Sequence, residues 1–225
     1  ASDVYKRQAI GILIALMGVK RNGVGQYVDT SMLDGAVSWL PVLANDYFVK
    51  GVSPKAAENI LNGQNACYEV YETKDGRYIS IGAIEPHLWA NFCDAIGKEE
   101  FKAYQRDLTK QDEMFAYLRD MFKSKTQAEW IEKLTGVDCC WAPVKNLEEV
   151  FADPQVVARD MVYEMTDPEG TYGSVRMIGS AVKLSETPAR KELFPPRKGE
   201  HNTEMLKSIG YTDEQIAELQ KNGVI

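Results

Sequence analysis

Residues 9–34 read AIGILIALMGVKRNGVGQYVDTSMLD, and the fold class is decided within this stretch. Ala9 to Val19 runs without a polar interruption and reads as a buried helix ending near Gly23. Gly23-Val24-Gly25 reads as a turn. Gln26 to Thr30 alternates and is rich in β-favouring residues, so it reads as a strand. Ser31 can cap a second helix, with Asp34 three residues on in its first turn. That helix is expected to carry Met32, Ala36, Val37, Leu40, Leu43 and Phe48, with a kink at Pro41. Helix, strand and helix at this spacing predict α/β packing.

Outward from this stretch, residues 51–63 hold Ser53-Pro54 and little periodicity, and read as a linker. Cys67 to Tyr71 and Arg77 to Gly82 alternate as strands, and Asp75-Gly76 between them is a strong hairpin signal. Pro86 to Ile96 reads as a helix with proline in its first turn. Gln111–Phe122 and Gln127–Leu134 are amphipathic helices, the second with a capping box at Thr126 and Glu129. Cys139 to Val144 is a short apolar strand broken by Pro143. Asn146 and Glu149 cap a short helix that stops at Asp153-Pro154. Val162–Met165 and Ser174–Ile178 form a further strand pair. Residues 185–200, with Pro188, Pro195, Pro196 and Gly199, read as an extended crossing segment. Two small helices, Asn202–Ile209 and Thr212–Asn222, close the chain, the second with a Thr212/Gln215 capping box.

The 225 residues carry 26 Lys and Arg against 33 Asp and Glu, a net charge of −7, which disfavours a nucleic-acid binder. A 44% hydrophobic content can fill a core, and a chain of this size needs no metal or disulfide staple. Cys67, Cys93 and the adjacent Cys139 and Cys140 fit neither a disulfide framework nor a CxxC motif, so a reducing cytoplasm is expected. His87 and His201 are far apart, and no cluster suggests a zinc site. The eleven apolar residues 9–19 are too few to span a bilayer, and no membrane partner is expected.

Catalytic motifs are sparse. There is no GxSxG, P-loop, GxGxxG or HExxH, and Gly23-Val24-Gly25 precedes a strand where a dinucleotide loop would follow one. Glu85 stands where a strand gives way to a helix, in Ile81-Gly82-Ala83-Ile84-Glu85-Pro86. It reads as a helix cap or as a carboxylate that orients a base or substrate. His87 reads as an ordinary helix residue, and Cys139 and Cys140 as buried packing beside Trp141. Trp89, Phe92, Phe115, Tyr117, Leu118, Met121 and Phe122 read as core, and Lys98 to Glu113 as a solvated helix face and loop. The residues alone leave the function open.

Several blocks together resemble the C-terminal part of the class III CoA transferases of the CaiB/BaiF type, which include formyl-CoA transferase and α-methylacyl-CoA racemase. The blocks are Gly25 to Gly35, Tyr71 to Tyr78, Ile81 to Pro86, Ala142-Pro143-Val144, Gly199-Glu200-His201, Gly210-Tyr211 and Gly223-Val224-Ile225. The resemblance implies an α/β fold, with a Rossmann-like large domain, here partial, and a small α+β domain. It divides the chain into a remnant of the large domain (9–50), a linker (51–63), the small domain (64–155), a strand pair with an extended return linker (156–200), and C-terminal helices rejoining the large domain (201–225). Residues 1–8 do not resemble the family and read as a non-native scar.

The implied substrates are an acyl-CoA thioester and a carboxylic acid, with no bound cofactor or metal, and the implied assembly is an interlocked homodimer. In the transferases an aspartate attacks the thioester and passes through mixed-anhydride and enzyme–CoA intermediates. In the racemase branch a histidine and an aspartate move the α-proton. The nucleophilic aspartate, the CoA-binding half and that histidine are expected upstream of Ala1, with Asp3 given no catalytic role, so the chain alone is expected to be inactive. Glu85 matches the racemase-branch glutamate that supports the histidine. Tyr68 and Ile84 match positions lining the acyl pocket. Leu61-Asn62-Gly63-Gln64-Asn65 lacks the glycine run of the formyl-CoA branch, which points away from oxalate and formate and toward a branched or longer acyl group or a racemase-like member.

Overall fold

The structure, a computed structural model, describes residues 2–189 and 194–225. Ala1, at the head of the expected scar, and residues 190–193 of the expected return linker lie outside the described residues. The chain forms two compact units, one ending at Val144 and one beginning at Lys145.

The first unit opens with three helices: α1 (Ser2–Asn22), α2 (Met32–Val37) and α3 (Pro41–Lys50). Ser31 caps α2 as its side chain accepts the N–H groups of Leu33 and Asp34. Two expectations are corrected here. Residues 24–30 form no strand, because no neighbouring strand takes up their backbone groups. They run along α1 instead, where Val28 Cγ1 would stand 3.0 Å from a Cβ on Gly11 and the Gln26 side chain 3.8 Å from one on Gly18. The second helix is not kinked at Pro41 but broken over residues 38–40, and Pro41 starts α3, where its missing N–H costs nothing.

A third correction concerns burial. The apolar run 9–19 is helical but exposed: Ile10, Ile12, Leu13, Ile14, Leu16 and Met17 all stand more than half open. Apolar residues on every side of a helix demand cover on every side. The 24–30 segment and α2 lie against it, and they leave most of its apolar side chains open.

The rest of the unit packs tightly. Strands β1 (Tyr68–Glu72), β2 (Tyr78–Gly82) and β3 (Trp141–Pro143) form an antiparallel sheet in that order. The β1–β2 hairpin turns on Asp75-Gly76: Gly76 N–H bonds the Thr73 carbonyl, and Gly76 takes φ +72°, the left-handed position that closes such a loop. Helices α4 (Pro86–Ile96), α5 (Gln111–Lys123) and α6 (Gln127–Leu134) cover one face of the sheet. Asp75 also accepts the Gln127 N–H, which fastens the hairpin to the start of α6. The core holds the expected aromatics: the Phe122 ring lies 4.9 Å from Tyr71 and 4.9 Å from Trp130, and the Tyr71 hydroxyl donates to the Ala66 carbonyl. Trp89, Phe92, Phe115 and Leu118 are buried with it. The stretch expected to be solvated, 98–113, differs. It holds two 3-10 turns, Glu99–Tyr104 and Leu108–Lys110, and buries Phe101, Gln105 and Gln111.

The second unit contains α7 (Leu147–Ala152), α8 (Pro154–Ala158), the hairpin β4 (Val162–Thr166) and β5 (Ser174–Ile178), and helices α9 (Asn202–Ser208) and α10 (Asp213–Lys221). Asp153 does not only end a helix: its side chain accepts from Gln155 and Val156 and starts α8. The hairpin loop is organised by Asp167, which is buried and accepts the Glu169 and Tyr172 N–H groups. Arg197 lies over the Tyr172 ring, donates to Thr171 Oγ1 at 2.8 Å and pairs with Glu169. No described helix is long and apolar enough to cross a membrane.

Candidate active site

Strand alternation sends Tyr71, Ile79 and Ile81 into the core and leaves Tyr68, Val70, Ser80, Gly82 and Ala142 on the opposite face. Small residues in the middle of that face, Ser80, Gly82 and Ala142, leave a depression. Tyr68 and Trp141 stand beside it, and the loop 61–63 closes one side. The resulting cleft has a volume of about 480 Å³.

The loop is held by asparagine side chains. Asn59 is buried; its Oδ1 accepts the Leu61 N–H at 3.0 Å, and its own N–H donates to Asn62 Oδ1 at 2.9 Å. The Asn59 carbonyl accepts the Asn62 N–H, and Gln64 Nε2 donates to the Glu58 carbonyl. Gly63 has φ +99°, and a Cβ there would come within 3.2 Å of the Glu69 carboxylate, so this position takes no side chain easily. Residues 59–63, within the expected linker, are thus a folded wall of the cleft.

Tyr68 is half-buried in β1 and lines the cleft. Ile84 and Glu85 follow β2 and do not line it. Ile84 is half-buried, and Glu85 is exposed at the N-cap position of α4. The Glu85 backbone has cap geometry, φ −71° and ψ 135°, but its side chain makes no cap hydrogen bond. Its carboxylate is therefore not engaged by the helix that follows. The approach to Glu85 is firmly held: Ala83 N–H bonds the Cys67 carbonyl, and Gln105 Nε2 donates to the carbonyls of both Ala83 and Ile84 at 2.9 Å. Gln105 is 6% exposed and escapes a sequence reading because charged residues surround it. The Phe101/Gln105 spacing of four within that stretch is the signal that could have found it.

His87 is exposed in the first turn of α4. Cys139 is buried, and burial pushes its thiol up to about 11. Burial likewise raises the Cys67 thiol, and the Cys93 thiol to about 12, so these three are poor nucleophiles. Cys140 departs from the expected packing: it is exposed, holds φ +48° and lines the cleft. The left-handed backbone at Cys140 turns its side chain away from the core that holds Cys139. No group of three His, Cys, Asp or Glu among the described residues is placed to hold a metal ion.

A model of CoA-transferase family III matches residues 7–202. An acyl-CoA transferase from Fusarium pseudograminearum is 32% identical over 220 residues, covering 95% of this chain and 48% of that protein. Mouse α-methylacyl-CoA racemase is 31% identical over 96% of this chain and 56% of its own length. Human succinyl-CoA:glutarate CoA-transferase is 28% identical over 100% of this chain and 52% of its own length. A crystal structure of a CAIB/BAIF family protein from Brucella suis superposes with a TM-score of 0.71 at 22% identity, covering 92% of this chain and 54% of that one. The chain thus spans about half the length of the curated relatives it matches.

Proposed function

We propose, on the premise that the chain belongs to CoA-transferase family III, that the complete gene product containing these residues moves CoA between carboxylic acids. The observation that carries the reading is the family match over residues 7–202, which takes in the whole β1–β2–β3 sheet and its cleft. The sheet provides a largely apolar slot for an acyl group. In the transfer, a carboxylate attacks the thioester carbonyl, releases the CoA thiolate and forms a mixed anhydride. The thiolate returns to the enzyme-derived carbonyl, the first acid leaves, and the acceptor acid repeats the sequence in reverse. The nucleophilic aspartate is read as lying outside the present residues, and measurable turnover by the purified 225-residue chain would refute that.

Glu85 is assigned a supporting role. Its carboxylate makes no bond to its own helix and sits on a held loop, so it is available to orient a partner group. Tyr68 and Ile84 are assigned to the acyl-binding surface, Tyr68 from within the cleft and Ile84 from the loop beside it. The exposed apolar surface of α1 is read as covered, in the complete protein, by further large-domain structure and a second copy of the chain. All four cysteines are free, which fits a reducing, cytoplasmic setting.

A second reading, α-epimerisation of a 2-methylacyl-CoA, is favoured by the similarity to the mouse racemase and by Glu85. Incubation of the complete gene product with a chiral 2-methylacyl-CoA in heavy water separates the two. CoA transfer that requires an acceptor acid and leaves the α-hydrogen in place supports the first reading. Deuterium at the α-carbon with no acceptor present sinks it in favour of the second.

A further inference from the structure

Three side-chain amides, Asn65, Gln105 and Gln111, are buried and joined to one another by hydrogen bonds. A buried amide is costly unless its polar atoms find partners, and these find theirs in irregular backbone. Gln111 Oε1 accepts the Ala66 N–H, and its Nε2 donates to the Asp107 carbonyl, both at 2.9 Å. Asn65 Nδ2 donates to the Gln105 carbonyl at 3.1 Å. The Gln105 backbone is thereby tied to the segment that leads into β1. Its side chain reaches the segment between β2 and α4. An amide nitrogen carries two N–H donors, and both are used there: the Ala83 and Ile84 carbonyls each lie 2.9 Å from Gln105 Nε2. Those carbonyls stand beyond Gly82, the last paired residue of β2. The Ile84 carbonyl shares a planar peptide with the Glu85 N–H, so holding it fixes the plane from which Glu85 projects. Because the Glu85 side chain makes no bond to its own helix, its direction depends on that backbone.

We propose that Gln105 is a positioning residue, which sets the direction of the Glu85 carboxylate by holding the Ala83 and Ile84 carbonyls and acts on the reaction through Glu85. The proposal rests on the supporting role read for Glu85 above. Without the two donors, both carbonyls lose their partners and the segment relaxes toward water. Displacing a reacting group by about 1 Å costs on the order of 100-fold in rate.

The test is a double-mutant cycle on the complete gene product: wild type, Gln105→Met, Glu85→Gln and both together. Met keeps the length of Gln and removes both donors. Turnover is read with acetyl-, 2-methylbutyryl-, octanoyl- and succinyl-CoA, with acetate or succinate as acceptor acid, in heavy water, so that transfer and α-exchange are both detected. Gln105→Met is expected to lower kcat by roughly 10- to 100-fold with KM little changed. In the Glu85→Gln background the same change is expected to lower kcat by less than about twofold more. Gln105→Asn, which retracts the amide, is expected to give a smaller loss with the same dependence on Glu85, and it carries the test if Gln105→Met does not fold. An equal loss of kcat in both backgrounds overturns the proposal and leaves the role of Glu85 standing. Failure of both Gln105 variants to fold assigns Gln105 to the core alone and also overturns it. If Glu85→Gln leaves kcat unchanged, or the wild type turns over none of these thioesters, the reading of Glu85 or of the acyl-CoA chemistry fails and the proposal falls with it.

Discussion

The first unit contains two kinds of helix. Helix α1 carries apolar residues on every side, and most of them are open: Ile14 is 62% exposed and Met17 71%. Helices α4, α5 and α6 carry apolar residues on one side only, and those are closed: Phe92, Phe122, Leu118 and Leu134 are each 0% exposed. Both kinds are apolar enough to drive folding. The difference is the number of neighbours each needs. An amphipathic helix is satisfied by a single sheet, which β1–β2–β3 provides. A helix that is apolar all round needs cover on several sides, and the 24–30 segment and α2 that lie against α1 leave most of its apolar side chains open.

This contrast breaks most visibly under truncation. Phe122→Ala removes a ring that touches Tyr71 and Trp130 in the core and is expected to cost about 3–5 kcal/mol in denaturant unfolding. Ile14→Ala in the same chain should cost about 0.5 kcal/mol or less, as for a surface site. An equal cost at both positions would show that α1 is already buried.

Hydrogen exchange sharpens the same point without mutation. Amides of α2, α3 and the 24–30 segment are expected to exchange well before those of β1, β2 and α5. Strong protection of residues 9–48 in a monomer would contradict it.

Thiol chemistry gives a smaller test confined to the packed region. Native protein should take up one equivalent of an alkylating reagent, at Cys140, while Cys67, Cys93 and Cys139 react only after unfolding. Cys140→Ser should abolish the native reaction.

The smallest expected effect is electrostatic. The Thr73 hydroxyl, helped by the Gln127 N–H, holds the Asp75 carboxyl below its usual range. Folding therefore favours its charged form. The contribution is present above the ordinary aspartate pKa of about 4 and is lost as pH falls through the lowered folded-state value. The stability gap between wild type and Asp75→Asn should be open at neutral pH and close in acid. A gap unchanged across that range would remove Asp75 as the charged tie between hairpin and α6.

Legibility in the sequence followed range. The Asp75-Gly76 turn and the caps at Thr126, Asn146 and Thr212 stand where their local spacing places them. A cap or tight turn is completed within about four residues, so the chain specifies it without help. The helical spacing in α4 and α5 likewise named Trp89, Phe92, Phe115, Leu118 and Phe122, all of which are buried. The Gln26–Thr30 strand failed because a strand is a pairing, and no partner strand is present for it.

The candidate site was legible only in part. Tyr68 lies in the cleft, whereas Ile84 and Glu85 stand on the loop after β2. The structure added the Leu61 wall, the Gln105 brace and the exposed Cys140. Gln105 meets Ala83 across 22 residues of chain, and Leu61 and Ala142 line one cleft from distant parts of the chain, so neither leaves a local pattern. Sequence alone determined the elements whose hydrogen bonds close nearby, along with the blocks that mark the family. Tertiary structure alone decided which apolar surfaces are covered and which side chains meet in the cleft, because burial and convergence depend on partners that are distant along the chain.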